Sequence, residues 1–300
     1  MRKRVVIFLM LAGAVAAPLA AQQTQPTAQS SAESGDEAIV VTGQKESRKT
    51  IQDFVGALTK IPSYQQLSRF EHSVCPAVYG LPRQQADAVA NRIRLIAKTI
   101  GIVIGGDKCA PNVLVVATSD KQAFLEELRR HRADDFGITD SQIRNLERQP
   151  GPAAAWQVQG PPMTEDGKDL DVDPSMGQVV NRTIVSGSRI TEPVHPQFDG
   201  AMVVVERKSL VGLTVTQLAD YAAIRMLTGA DPAHLANSGA PTILHVLEVP
   251  IGGTAPITMT QWDFAFLRGY YDAKRNLRTT GQRSAITDSM TRDLQHPQHK

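Results

Sequence analysis

Several signatures of well-known enzyme classes are missing from this chain of 300 residues. It has no Gly-x-Ser-x-Gly elbow, no Ser-x-x-Lys pair, no phosphate-binding glycine loop and no dinucleotide fingerprint. The glycines of "GIVIGGDK", residues 101–108, stand at intervals that fit neither nucleotide motif. The sequence therefore predicts no catalytic residue and no cofactor.

The first residues indicate export. "MRKR" gives a positive start, an apolar run follows, and small residues stand where a signal peptidase cuts, so residues 1–21 are predicted to be a signal peptide cleaved after Ala21. The run is shorter than the roughly 20 residues of a membrane-spanning helix, so no membrane span is expected after cleavage. The predicted location is the periplasm or the outer membrane.

Cysteine is scarce, with only Cys75 and Cys109 in the chain. An even number of cysteines in an exported protein favours a disulfide between them. The alternative is a Cys75 nucleophile near His72, since a reactive thiolate needs a basic neighbour. A metal site is not expected, because the two cysteines lack the close spacing of zinc ligands.

Net charge excludes one class of partner. The formal charge of +2 includes Arg2, Lys3 and Arg4, so loss of residues 1–21 lowers it to −1. No clustered run of lysine and arginine remains, and nucleic acid is therefore not an expected partner. The predicted partner is an envelope protein or a small ligand.

Residues 22–46 are predicted to form a disordered polar linker, because they contain almost nothing that can be buried. The exception is "IVVTG", residues 39–43, which resembles the start of the mature region in many TonB-dependent outer-membrane receptors. This resemblance implies the cell envelope. The segment is either a strand that docks on another protein or an edge strand, 39–42, of this one.

Residues 47–294 are predicted to form a single α/β domain, a mixed β-sheet packed with helices, followed by a polar tail at 295–300. Helices are expected from about 51, with a Thr50 and Asp53 cap, after Pro82, and over "KQAFLEELRRHR", residues 121–132. "NVLVVATSD" is a continuous apolar strand that suits a sheet covered on both faces. Further expected strands are "AAAWQVQG", "NRTIVSGSRI" and "AMVVVERKSL", and "EDGKDLDVDPSMG" is expected to be a solvated acidic turn.

The stretch 213–229, "LTVTQLADYAAIRMLTG", predicts a central buried helix that begins with a Thr214 and Gln217 capping box. A second box, Thr260 with Asp263, starts the helix of "WDFAFLRGYY". This order of a mixed sheet, a central helix and a later helix resembles the layout of zincin metallopeptidases. Their central helix carries two histidines and a glutamate, whereas "ADYAAIRM" has no histidine, so the resemblance implies a non-catalytic relative.

A few polar residues remain as candidates for a cleft. Asp220 and Arg225 are charges within an apolar helix, and such groups are paired, reach solvent or line a cleft. His234, His245 and Glu248 follow the helix, and with His195 they form the residues of the alternative hypothesis, a peptidase-like hydrolase with a non-standard metal site. Their spacing gives no common helix face, which favours ordinary structural histidines.

The segments "CPAVYGLP", "CAPNVLVVATSD", "LADYAAIRML" and "WDFAFLRGYYDAKRNL" resemble a group of uncharacterised exported proteins of Gram-negative bacteria. The resemblance spans about residues 65–290 and implies a shared fold and an envelope location, but no reaction. The sequence therefore favours an exported, non-catalytic binding or interaction protein, with the hydrolase as the alternative.

Overall fold

The computed structural model describes residues 47–61, 65–131, 137–173, 175, 177–181, 186–188, 191–235, 239–250 and 252–295. All of them belong to one compact unit, Gln44–Lys300. The predictions for the signal peptide, the linker with "IVVTG", and residues 296–300 lie outside the described residues, as does most of the strand predicted at 181–190.

The described residues combine helices with a mixed parallel and antiparallel sheet, which confirms the predicted α/β class. The helices are α1 Arg48–Leu58, α2 Arg83–Thr99, α3 Lys121–His131, α4 Asp140–Arg148, α5 Val215–Thr228, α6 Gln261–Asp272 and α7 Thr279–Gln295. The strands are β1 Pro76–Tyr79, β2 Val113–Thr118, β3 Ala153–Gln159, β4 Met163–Thr164, β5 Asp171–Asp173, β6 Gln178–Val180, β7 Val194–His195 and β8 Phe198–Glu206.

The main sheet has the strand order β1-β2-β8-β3. β1, β2 and β8 run parallel, and β3 is an antiparallel edge strand that pairs with β8 from Ala153 opposite Val205 to Gln159 opposite Phe198. The mixed sheet is therefore as the sequence predicts. The acidic segment is a small hairpin of β5 and β6 rather than a simple turn.

Both faces of the main sheet are covered. Val203 and Val205 of β8 pack into the larger core with α1, α2, α5, α6 and α7, while Met202 and Val204 pack into a smaller core with α3 and α4. Alternate side chains of a strand point to opposite faces, so an apolar run is what a doubly covered strand requires. β3 follows the same rule, with Trp156 on the smaller core and Ala153 against the larger one.

Helix α5 lies in the larger core, with every side chain from Gln217 to Thr228 buried, and the predicted central helix is confirmed. Thr214 caps it in a full capping box with Gln217, and Gly229 ends it with φ of +72°, a left-handed conformation that glycine adopts without strain. The box of Thr260 and Asp263 on α6 is also present.

The prediction for the start of α1 is wrong by three residues. Ser47 is the N-cap, and its hydroxyl accepts a hydrogen bond from the Thr50 amide, so Thr50 lies inside the helix. Helices α4 and α7 are additional to the predicted set, and α7 extends one residue into the predicted polar tail.

The predicted pairing of Cys75 with Cys109 is confirmed. Their Cα atoms are 6.0 Å apart and their sulfur atoms are bonded, which closes a loop containing β1 and α2. Within the part of the chain that the structure describes, no helix has the length and hydrophobicity needed to cross a bilayer.

Candidate functional site

The candidate site is built around Arg225, on the last turn of α5. Arg225 is only 5% exposed to solvent. Tyr221 lies four positions earlier, and residues at this spacing share one face of a helix. The Arg225 Nη1 donates a 2.7 Å hydrogen bond to the Tyr221 hydroxyl, and the guanidinium carbon lies 5.7 Å from the centre of the Tyr221 ring.

The charge of Arg225 has no counter-ion in contact with it. Among the described residues, no carboxylate oxygen lies within 4.0 Å of its guanidinium nitrogens, and its Nε is buried without a hydrogen-bond partner. Buried cations are normally paired. A buried cation without a partner costs roughly several kcal/mol, because it has lost its hydration and gained no opposite charge. A buried, unpaired guanidinium is therefore a feature that the fold alone does not explain.

Arg225 and Tyr221 line a cavity of about 240 Å³, which we call the Arg225 cavity. Its other walls come from the turn 149–153 that leads into β3, from the 3₁₀ turn Pro232–Leu235 and from the segment 244–248. Asp231 and Glu248 add two carboxylates, and the remaining side chains are mostly apolar. The cavity thus joins an edge of the sheet to the end of the central helix.

Neighbouring contacts hold these walls in place. The buried Lys121 ammonium donates to the carbonyl oxygens of Gln149 and Gly151, at 2.7 and 2.8 Å, which fixes the turn before β3. The Gln157 amide donates at 2.7 Å to the Arg225 carbonyl, which ties β3 to the end of α5. The backbone around the cavity is therefore set by contacts that do not use the Arg225 side chain.

The structure brings together two of the predicted cleft residues, Arg225 and Glu248. His245 lies beside Glu248, with its Nδ1 2.9 Å from the Glu248 Oε2. Glu248 is more than half exposed, so this pair lies at the mouth of the Arg225 cavity rather than deep within it.

Asp220 belongs to a different arrangement. It is fully buried and accepts hydrogen bonds from Arg92 Nε at 2.8 Å, Arg92 Nη2 at 3.2 Å, the Thr258 hydroxyl at 2.7 Å and the Met259 amide at 2.6 Å. Five positions along a helix turn the side chain through about 140°, so Asp220 and Arg225 face different neighbours. The carboxylate joins α5 to α2 and to the segment before α6.

His195 lies in a second buried polar cluster. Its Nε2 is 3.7 Å from the Glu71 Oε1, which is also 3.7 Å from Arg69 Nε and 3.2 Å from Arg275 Nε. Burial, with Arg275 and Arg69 adding repulsion, lowers the pKa of His195 to about 4, and burial raises the pKa of Glu71. The cluster supplies its own opposite charges, unlike Arg225.

His234 lines a larger cavity of about 540 Å³ on the other side of Asp231. Several polar groups there are paired within the fold: Ser68 donates to Gln159 at 3.0 Å, and Tyr270 donates to the Ser68 carbonyl at 2.7 Å. This cavity is bigger, but none of the described residues that line it presents an unpaired buried charge to select a ligand.

The histidines of the hydrolase hypothesis do not come together. His195, His234 and His245 lie in the Glu71 cluster, the larger cavity and the mouth of the Arg225 cavity, respectively. Over the described residues, no three histidine, cysteine or acidic side chains are grouped so as to hold a metal ion.

Two site residues were missed in the sequence. Tyr221 has the appearance of a core aromatic, but its spacing from Arg225 is the pattern that reveals the contact. Asp231 follows the helix end in the loop, where only the tertiary structure shows which cavity it lines.

Comparison with known proteins gives no relative. No protein-family model, curated protein or solved structure matches this chain. The site is therefore interpreted from its own geometry.

Proposed function

We propose that this protein is an exported, non-catalytic binding protein of the cell envelope, which holds a small ligand through an anionic group at Arg225. The observation that carries the proposal is the buried guanidinium without a counter-ion in the Arg225 cavity. An anion from solution supplies the counter-ion that the described residues do not provide in contact with Arg225. Protein surrounds the site on several sides.

The chemistry of the donors fits a carboxylate. Arginine presents a planar fork of donors that matches the two oxygens of a carboxylate. Tyr221 accepts from Arg225, so its own hydroxyl proton remains free to donate, and no described residue accepts it. Burial raises the pKa of Tyr221, which keeps the phenol neutral and able to donate.

Export is supported by the signal-peptide pattern of residues 1–21 and by the disulfide, since disulfides persist in oxidising compartments. The test is expression of the full chain in a Gram-negative host, followed by fractionation and intact mass of the purified protein. We expect periplasmic or outer-membrane-associated protein that begins at Gln22. Cytoplasmic protein that retains residues 1–21 and carries two free thiols contradicts this part of the proposal.

The ligand class is tested by ligand-observed NMR on the mature protein, with 4-methylpentanoate compared with the uncharged 4-methylpentan-1-ol. We expect binding of the acid alone, and loss of that binding in Arg225→Gln. Arg207→Gln serves as the matched control, because Arg207 is exposed on the surface. Acid and alcohol binding alike, or binding unchanged in Arg225→Gln, refutes the role of the guanidinium.

No observation among the described residues favours the hydrolase alternative, since the candidate histidines lie apart. Elemental analysis of the mature protein, purified without chelator, tests it directly. Zinc at one equivalent per chain overturns the non-catalytic proposal.

A further inference from the structure

The Arg225 cavity contains charges of both signs. Arg225 is on one wall, and the carboxylates of Asp231 and Glu248 are on the others. Both carboxylates are more than 4.0 Å from the guanidinium nitrogens, so they do not neutralise it by contact. A ligand with a single negative charge satisfies Arg225 but meets two like charges nearby.

The two carboxylates are close enough to act on the same group as Arg225. Burial is the main cause that raises the pKa of Tyr221, Arg225 lowers it, and Asp231 and Glu248 raise it further. All three charged groups line the same cavity of about 240 Å³, and each carboxylate is farther from the guanidinium than a direct ion pair allows.

Resting on the proposed function, we infer that the ligand of the Arg225 cavity is a zwitterion of amino-acid size with an apolar side chain. Its carboxylate lies against Arg225 and the Tyr221 hydroxyl, and its ammonium group lies against Asp231 or Glu248. Each end then forms charge-assisted hydrogen bonds of about 2.7–2.9 Å. The ligand bridges charges that the fold holds apart.

The volume and the walls fit this class. A volume of 240 Å³ equals that of about eight liquid waters, which suits a free amino acid and is below the range of about 300–1,000 Å³ typical of drug-sized ligands. The apolar part of the lining comes from Pro150, Pro152, Ala153, Leu244 and Leu247. These groups favour an aliphatic or thioether side chain over a charged one.

The experiment uses three ligands that differ by one charge at a time. L-Leucine carries both charges, 4-methylpentanoate lacks the ammonium group, and L-leucinamide lacks the carboxylate. Isothermal titration calorimetry at pH 7 with the mature, disulfide-bonded protein is expected to give L-leucine a Kd at least 10-fold below that of either analogue. L-Methionine with its own desamino and amide analogues repeats the comparison with a second side chain.

Variants assign the two ends. Asp231→Asn and Glu248→Gln, singly and together, are expected to reduce the advantage of L-leucine over 4-methylpentanoate at least 10-fold, while Arg225→Gln abolishes binding of both. Asp231→Asn keeps the oxygen that accepts from the Ala233 amide at 3.1 Å, so the backbone there is preserved. Asp87→Asn, at an exposed site on α2, is the matched control.

The outcomes separate the two claims. If 4-methylpentanoate binds as tightly as L-leucine, and both depend on Arg225, the zwitterion is refuted while the anion site stands. If neither the amino acids nor the carboxylates bind, both the zwitterion inference and the proposed function are refuted. Circular dichroism and thermal melting of each variant show that lost binding does not reflect lost folding.

Discussion

Reduction of the Cys75–Cys109 disulfide is expected to lower the free energy of unfolding by about 4 kcal/mol. The sequence separation is 34 residues, and the chain-entropy relation for a loop of this length gives about 4 kcal/mol at 25 °C. This corresponds to nearly three orders of magnitude in the folding equilibrium constant. The closed loop contains β1, an edge strand, and α2, which packs on α5, so the loss is transmitted to the core that holds Arg225.

The assay is urea unfolding of the mature protein, followed by circular dichroism, with and without a phosphine reductant. A Cys75→Ala/Cys109→Ala double variant is the control, because it is expected to match the reduced protein and to be unaffected by reductant. The m-value is expected to be larger for the reduced form, whose unfolded chain is less constrained. Equal unfolding midpoints for oxidised and reduced protein refute the reasoning, as does a count of two free thiols in native protein.

Three further perturbations test the helix α5 cap and two buried polar clusters of the fold. Asp220→Ala is expected to cost about 3 kcal/mol or more in urea unfolding, because it leaves Arg92 without its buried partner, and Asp220→Ala with Arg92→Met is expected to recover part of that loss. Thr214→Ala is expected to cost about 1 kcal/mol through loss of the α5 cap, whereas Thr214→Ser retains it; equal losses in both contradict the capping role. The pKa of His195 is about 4 in the folded protein and about 6.5 in the unfolded chain. Between these pH values the unfolded chain binds a proton at His195 and the folded protein does not. The free energy of unfolding is therefore expected to decline as the pH falls from 6.5 toward 4. Unfolding free energies measured across this range are expected to lose that decline in His195→Gln, and an unchanged slope contradicts the assignment.

Short sequence patterns predicted those helix starts that depend on neighbouring residues alone. The boxes at Thr214 and Thr260 depend on residues three positions apart, and both are present. The start of α1 was misplaced because Ser47 and Thr50 are both good capping residues, and the sequence pattern does not choose between them. Helix α7 escaped prediction because its buried positions include threonine, serine and glutamine, which give only a weak apolar stripe.

The residues of the candidate site were harder to predict than the helices, because they meet only through tertiary contacts. Glu248 and Asp231 reach the Arg225 cavity from segments after the helix, and no spacing in the sequence encodes that meeting. Asp220 and Arg225 looked equivalent as charges in an apolar helix. Their difference arises from their neighbours: α2 supplies a cation to Asp220, whereas no described residue supplies an anion in contact with Arg225.

That contrast strengthens the case for a ligand. The two charges are five residues apart on one helix, and each belongs to a residue no more than 5% exposed. The fold surrounds Asp220 with four donor groups, so this buried charge is fully satisfied within the protein. Arg225 contacts one neutral hydroxyl and lines a cavity in which the two carboxylates stay more than 4.0 Å from its guanidinium nitrogens. Arg69 and Glu71 also keep buried atoms without a hydrogen-bond partner, but each lies within 4.0 Å of an opposite charge, which Arg225 lacks among the described residues and a bound carboxylate supplies.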